Sequence, residues 1–138
     1  MLVVDTNALI YFFKGQGCVA EHLLNHPPAD VGVPAIVLFE LETGIAKSLQ
    51  PDKRRGQLAQ LLDVVTVLPF GAAEARIAGQ LRATLESLGT PVGQLDTMIA
   101  ATALVAGSPL VTRNVREFSR VPGLTVVDWY STPPLTPQ

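Results

Sequence analysis

The chain's 138 residues are 48% apolar and 16% charged, and its formal net charge is −2. That length suits one domain with a substantial core, and the charge gives no long-range attraction for a polyanion, so nucleic acid would be held by local patches or through metal. A single cysteine, Cys18, excludes an intrachain disulfide and a cysteine metal cluster; with no basic leader and no apolar run near the roughly 18 residues of a membrane span, a cytoplasmic protein is expected.

The chain opens on Met1-Leu2-Val3-Val4-Asp5-Thr6-Asn7. An apolar run without polar alternation predicts a strand buried on both faces. Asp5 ends it, and Thr6 and Asn7 turn into a short helix over 8–14. Gly15-Gln16-Gly17 has no third glycine, so it carries no dinucleotide fingerprint. Residues 19–25 read as a second short helix, with His22 and His26 as a solvated pair, and 31–33 as a second strand. A longer helix over 36–49 places Val37, Leu41, Ile45 and Leu49 one turn apart on its apolar face, and Pro51 closes it.

A basic turn leads into a helix over 54–62 and a β-branched strand over 64–68. The next helix reaches Leu88, with Ile77, Leu81, Leu85 and Leu88 as its stripe. After the loop Gly89-Thr90-Pro91-Val92-Gly93, Asp96 heads an alanine-rich helix over 97–106, and strands over 110–112 and 124–127 follow. Alternating strands and helices predict an α/β fold, a three-layer α/β/α sandwich on a mainly parallel sheet of four to five strands. It spans residues 1–130, and the proline-rich segment 131–138 is expected to be a flexible tail.

Three of the twelve acids do not fit a solvated helix face. Asp5 ends a buried strand, where open parallel sheets bind their ligands. Glu40 lies within Ile36-Val37-Leu38-Phe39-Glu40-Leu41, and Asp96 heads the most apolar helix. Burying a carboxylate unpaired costs several kcal/mol or forces it to take up a proton, yet lysine and arginine are scarce around these segments. Two carboxylates about 4 Å apart repel by roughly 4 kcal/mol at an effective dielectric near 20. If the three converge, a cation must join them, and oxygen ligands without His or Cys suit Mg²⁺ or Mn²⁺. Each acid also has a plainer role open to it. Asp5 and Asp96 can cap the helices that follow them, and Glu40 can face solvent. After the fourth strand, Thr112 is placed to orient a water and Asn114 to hold one through its amide oxygen, although Asn114 serves equally as a turn residue.

Four stretches taken together resemble the PIN-domain ribonucleases: Asp5-Thr6-Asn7, then Leu38-Phe39-Glu40-Leu41-Glu42-Thr43-Gly44, then Asp96-Thr97-Met98-Ile99-Ala100-Ala101, then Val111-Thr112-Arg113-Asn114-Val115-Arg116-Glu117-Phe118. More narrowly they are similar to the VapC toxins of type II toxin–antitoxin pairs. The resemblance implies that Asp5, Glu40 and Asp96 bind metal, with Thr112 part of the site and Thr6 and Asn7 supporting it. Asn114 fills a fourth position that is acidic in many members, so one Mg²⁺ is a safer expectation than two, with Mn²⁺ as substitute. It further implies hydrolysis of an RNA phosphodiester by metal-activated water, a VapB-type antitoxin over the cleft, and a homodimer. Arg113 and Arg116 lie nearest the expected site and are the leading candidates to hold the RNA backbone. The stretch from Gly89 to Asp96 looks most like toxins that cut initiator transfer RNA in the anticodon loop.

Readings from other classes fit less well. A phospho-acceptor receiver domain needs an Asp ending its central strand, where the strand over 64–68 runs into Pro69. A haloacid-type phosphatase needs Asp-x-Asp, where this chain has Asp5-Thr6-Asn7. A catalytically weak or silent PIN-fold module acting by sequestration stays open, and the amide at Asn114 favours it.

Overall fold

A computed structural model describes residues 1–135. Five strands form one sheet in the order β3-β2-β1-β4-β5, every pair parallel. The strands are β1 (Leu2–Val4), β2 (Val31–Pro34), β3 (Thr66–Leu68), β4 (Leu110–Val111) and β5 (Val126–Val127). The helices are α1 (Thr6–Lys14), α2 (Val19–Leu24), α3 (Ala35–Ala46), α4 (Pro51–Leu62), α5 (Ala72–Ser87), α6 (Gln94–Val105) and α7 (Val115–Phe118), with a 3₁₀ turn over Pro28–Asp30.

β1 is the central strand. Its register sets Leu2 against Val31 on one side, and Val3 against Leu110 and Val4 against Val111 on the other. Val3, Val4, Val31, Val33 and Leu110 are fully buried, which is why these strands read as continuous apolar runs. A Cβ on Gly32 would stand 2.7 Å from Leu68 Cδ1, so glycine there lets the side chain of β3 lie across β2. Helix α6 buries Ile99, Ala100, Ala101 and Ala103 completely. Its small side chains let α5 approach closely, and these two helices share the most extensive packing in the molecule.

Several elements differ from the sequence reading for identifiable reasons. Helix α3 stops at Ala46 and Leu49 is fully exposed, so the apolar stripe ends at Ile45. Pro51 opens α4 instead of closing α3, as a residue whose missing N–H is not needed in a first turn. Leu88 is likewise exposed beyond the end of α5. His22 and His26 are half-buried and stack on Trp129, with ring centroids 5.4 and 5.1 Å away, and so are not a solvated pair. His22 Nε2 also lies 2.6 Å from the Thr132 carbonyl. Asp128 accepts from the backbone N–H of Tyr130 and the hydroxyl of Ser131. Of the proline-rich tail expected over 131–138, residues 136–138 lie outside the described residues.

Candidate active site

Asp5 and Thr112 follow the carboxyl ends of two adjacent strands, β1 and β4. Asp5 caps α1, its Oδ1 accepting from the Ala8 N–H at 2.8 Å, and it is 5% exposed. Burial pushes its carboxyl above the ordinary range. Hydrogen bonds from the Thr112 hydroxyl and Ala8 hold it back, and the nearby charge of Glu40 adds to the rise. Thr112 is itself buried and its Oγ1 accepts from the Asn114 N–H at 3.0 Å. Capping and membership of a site are therefore compatible at Asp5.

Glu40 projects from α3, and Thr6 Oγ1 on α1 donates to its Oε1 at 2.7 Å. It is half-buried, which removes the alternative that it simply faces solvent. Asp96 lies within the first turn of α6, whose N-cap is Gly93, so it is not the capping residue. It still faces the positive end of the helix dipole. Burial, then the charges of Glu117, Glu40 and Asp5, raise its carboxyl from 3.8 to about 6. Asp5, Glu40 and Asp96 therefore lie within one another's field.

Glu117 is the acid that the sequence reading left out. Its Oε1 accepts from the Gly93 N–H at 3.1 Å and its Oε2 from Asn114 Nδ2 at 2.7 Å. A Cβ on Gly93 would stand 3.7 Å from Asp96 Oδ2 and 3.9 Å from Glu117 Oε1, so the two carboxylates flank the same glycine. The signal was available: Asn114-Val115-Arg116-Glu117 is an N-cap followed three residues later by an acid. The four-residue helix α7 it opens was too short to show periodicity. Asn114 thus serves as a hydrogen-bond donor to the acid of this corner. Asn7 is exposed and makes no side-chain hydrogen bond among the described residues.

Lys14 and Arg54 line a groove beside Glu40, but among the described residues neither is ion-paired with it. Among the described residues the ion pairs are Arg55–Glu42 at 3.6 Å and Arg82–Glu86 at 3.0 Å, both exposed. Arg113 lies over the ring of Tyr130, 3.6 Å from its centroid, and 5.6 Å from that of Tyr11. Arg116 is exposed on α7, and Arg120 Nη1 donates to the Pro91 carbonyl.

Among the described residues the four carboxylates of Asp5, Glu40, Asp96 and Glu117 make no ion pair, and oxygen donors of this kind suit a divalent ion such as Mg²⁺ rather than zinc. Among the described residues no three of them close a coordination shell; the charges of Glu117, Glu40 and Asp5 all act on Asp96. Beside Glu40 runs a mostly apolar groove of about 270 Å³, lined in part by Ile10, Phe13, Leu41, Ile45 and Leu58. The buried Oε1 of Gln57 borders it without a hydrogen-bond partner.

A parallel sheet with one acid at the end of its central strand and three more on the helices beside it defines a class, and the comparisons agree with it. The family model described as "PIN domain" matches residues 2–124. The tRNA(fMet)-specific endonuclease VapC of Salmonella typhimurium is 35% identical over 127 residues, covering 92% of this chain and 96% of that protein. Ribonuclease VapC2 of Haemophilus influenzae is 32% identical with the same coverage. Among solved structures, DNA-bound VapBC from Salmonella typhimurium superposes with a TM-score of 0.86 at 36% identity, covering 93% of this chain and 97% of that one. VapBC2 from Rickettsia felis, bound to a promoter DNA fragment, superposes with a TM-score of 0.85 at 29% identity, covering 93% and 98%. The chain belongs to the PIN-domain family and, within it, to the VapC ribonucleases.

Proposed function

We propose that the chain is a Mg²⁺-dependent endoribonuclease toxin that hydrolyses RNA phosphodiesters in this cleft, with Mn²⁺ as substitute, and so inhibits translation. The observation that carries the proposal is Asp96, pushed to about 6 by burial and by the charges of Glu117, Glu40 and Asp5, none of the four acids being ion-paired among the described residues. Asp5, Glu40 and Asp96 would hold the ion, and Glu117 takes the fourth position that the sequence reading gave to Asn114. When bound, the ion supplies positive charge that offsets the charge growing on the phosphate oxygens.

The chain's own residues orient and bind. Thr112 fixes the Asp5 carboxylate, Thr6 fixes that of Glu40, and Asn114 fixes Glu117. Arg113 and Arg116, at the rim, hold the RNA backbone through phosphate contacts that carry no sequence information. Transfer RNA, with initiator transfer RNA foremost, is the substrate class favoured by the relative's name. The complexes among the solved relatives support an antitoxin partner. An apolar antitoxin segment would cover the groove beside Glu40, and the toxin would work in the cytoplasm as a homodimer. Glu117 supplies the acid that Asn114 lacks, so the amide no longer favours a catalytically silent module.

The test is cleavage of purified initiator transfer RNA with mapping of the new ends. Cleavage with Mg²⁺ that stops in excess EDTA and in the Asp96→Ala protein supports the proposal. Undiminished cleavage in EDTA overturns the metal mechanism.

A further inference from the structure

Arg113 lies between Thr112, which bonds Asp5, and Asn114, which bonds Glu117. Its guanidinium carbon is 3.6 Å from the centre of the Tyr130 ring. At that distance an N–H pointed at the ring would bring its nitrogen well inside van der Waals contact, so the group lies flat on the ring. Flat stacking occupies one face of the guanidinium; one in-plane donor is turned to the Tyr11 hydroxyl, and the rest of the edge stays open to bind a phosphate. Among the described residues Arg113 makes no ion pair, and it is exposed.

Tyr130 is held from several sides. Its carbonyl accepts from the Cys18 N–H at 3.0 Å, and its own N–H donates to Asp128 Oδ1 at 2.7 Å. Its ring meets that of Tyr11 edge-on, with centroids 4.7 Å apart. The ring also lies against Gly17, with φ +63°, where a Cβ would stand 2.6 Å from Tyr130 Cδ2. The second glycine of Gly15-Gln16-Gly17, which carries no nucleotide fingerprint, thus makes room for an aromatic ring.

We infer that Tyr130 is a positioning residue for RNA binding: its ring, lodged against Gly17 and Tyr11, holds the Arg113 guanidinium flat at the rim of the cleft with its donor edge presented to a phosphate of the RNA strand. This rests on the ribonuclease reading above. The ring fixes the arginine before RNA arrives, so less side-chain freedom is lost on binding. Tyr130 therefore acts on RNA affinity and leaves the chemical step alone.

The experiment is a double-mutant cycle on cleavage of a short labelled RNA in Mg²⁺, with KM and kcat separated and thermal unfolding followed alongside. Tyr130→Leu should raise KM roughly 5-fold, a typical cation–π contribution, with kcat little changed; Tyr130→Phe, which keeps the ring face, should restore KM. Arg113→Gln, an exposed change, should raise KM and reduce the slope of log affinity against log salt by about 0.7, one single-strand phosphate contact. In the Arg113→Gln background, Tyr130→Leu should change KM no further. Independent, additive effects of the two substitutions would overturn the inference, as would a Tyr130→Leu protein with lower melting temperature and unchanged KM. A wild-type protein that neither binds nor cleaves RNA would overturn the ribonuclease reading, and this inference with it.

Discussion

Removing the charge of Asp96 should stabilise the metal-free protein. In the unfolded chain this carboxyl titrates near 3.8, and in the folded protein at about 6. Between these values the folded form binds more proton than the unfolded one. Unfolding free energy therefore falls as pH rises through that window and stays reduced above it. The full linkage is about 3 kcal/mol; the carboxylate is only half-buried, and solvent screening discounts this to about 1–2 kcal/mol. Asp96→Asn keeps the shape and removes the charge, so at pH 7.5 in EDTA its melting temperature should exceed wild type by about 3–8 °C. The gap should close as pH falls toward 4, where the wild-type carboxyl is neutral in the folded state. Circular dichroism melts over a pH series measure this directly, and added Mg²⁺ should raise the wild-type melting temperature far more than that of the variant. An Asp96→Asn protein that melts below wild type at pH 7.5, or a gap that persists at pH 4, would refute the electrostatic account of the cleft.

Asp5 has two separable roles. Asp5→Asn and Asp5→Ala should both lose cleavage, but the asparagine keeps an acceptor for the Ala8 N–H and should be more stable by about 1 kcal/mol in urea titration. Thr6→Val removes the hydroxyl that orients Glu40 and should slow cleavage about 10-fold; an unchanged rate would show that Glu40 needs no such support. Gly17→Ala places a Cβ against Tyr130 at positive φ and should cost about 1–3 kcal/mol, a loss read from its denaturation midpoint.

The central strands were legible because burial on both faces leaves no polar alternation, and the same run made Asp5 conspicuous as the acid that ended it. Glu40 and Asp96 stood out as charges in apolar surroundings. Glu117 did not, because it lies in a four-residue helix too short to show a pattern and its importance comes from Gly93, an approach across the fold that no local pattern records. Pro51 was misassigned because proline both follows helices and opens them, and only the exposed Leu49 decides between the two. The stacking of His22 and His26 on Trp129 joins opposite ends of the chain, so helical spacing alone could not reveal it.

The position of β1 at the centre of the sheet has a consequence for biosynthesis. β1 ends at Val4, but its neighbour β4 begins only at Leu110, and Thr112, Asn114 and Glu117 come later still. Such distant pairing is closed late and slowly. A nascent chain carries Asp5 out of the ribosome long before the residues that complete its surroundings, so the growing polypeptide has no assembled site until most of it has been made.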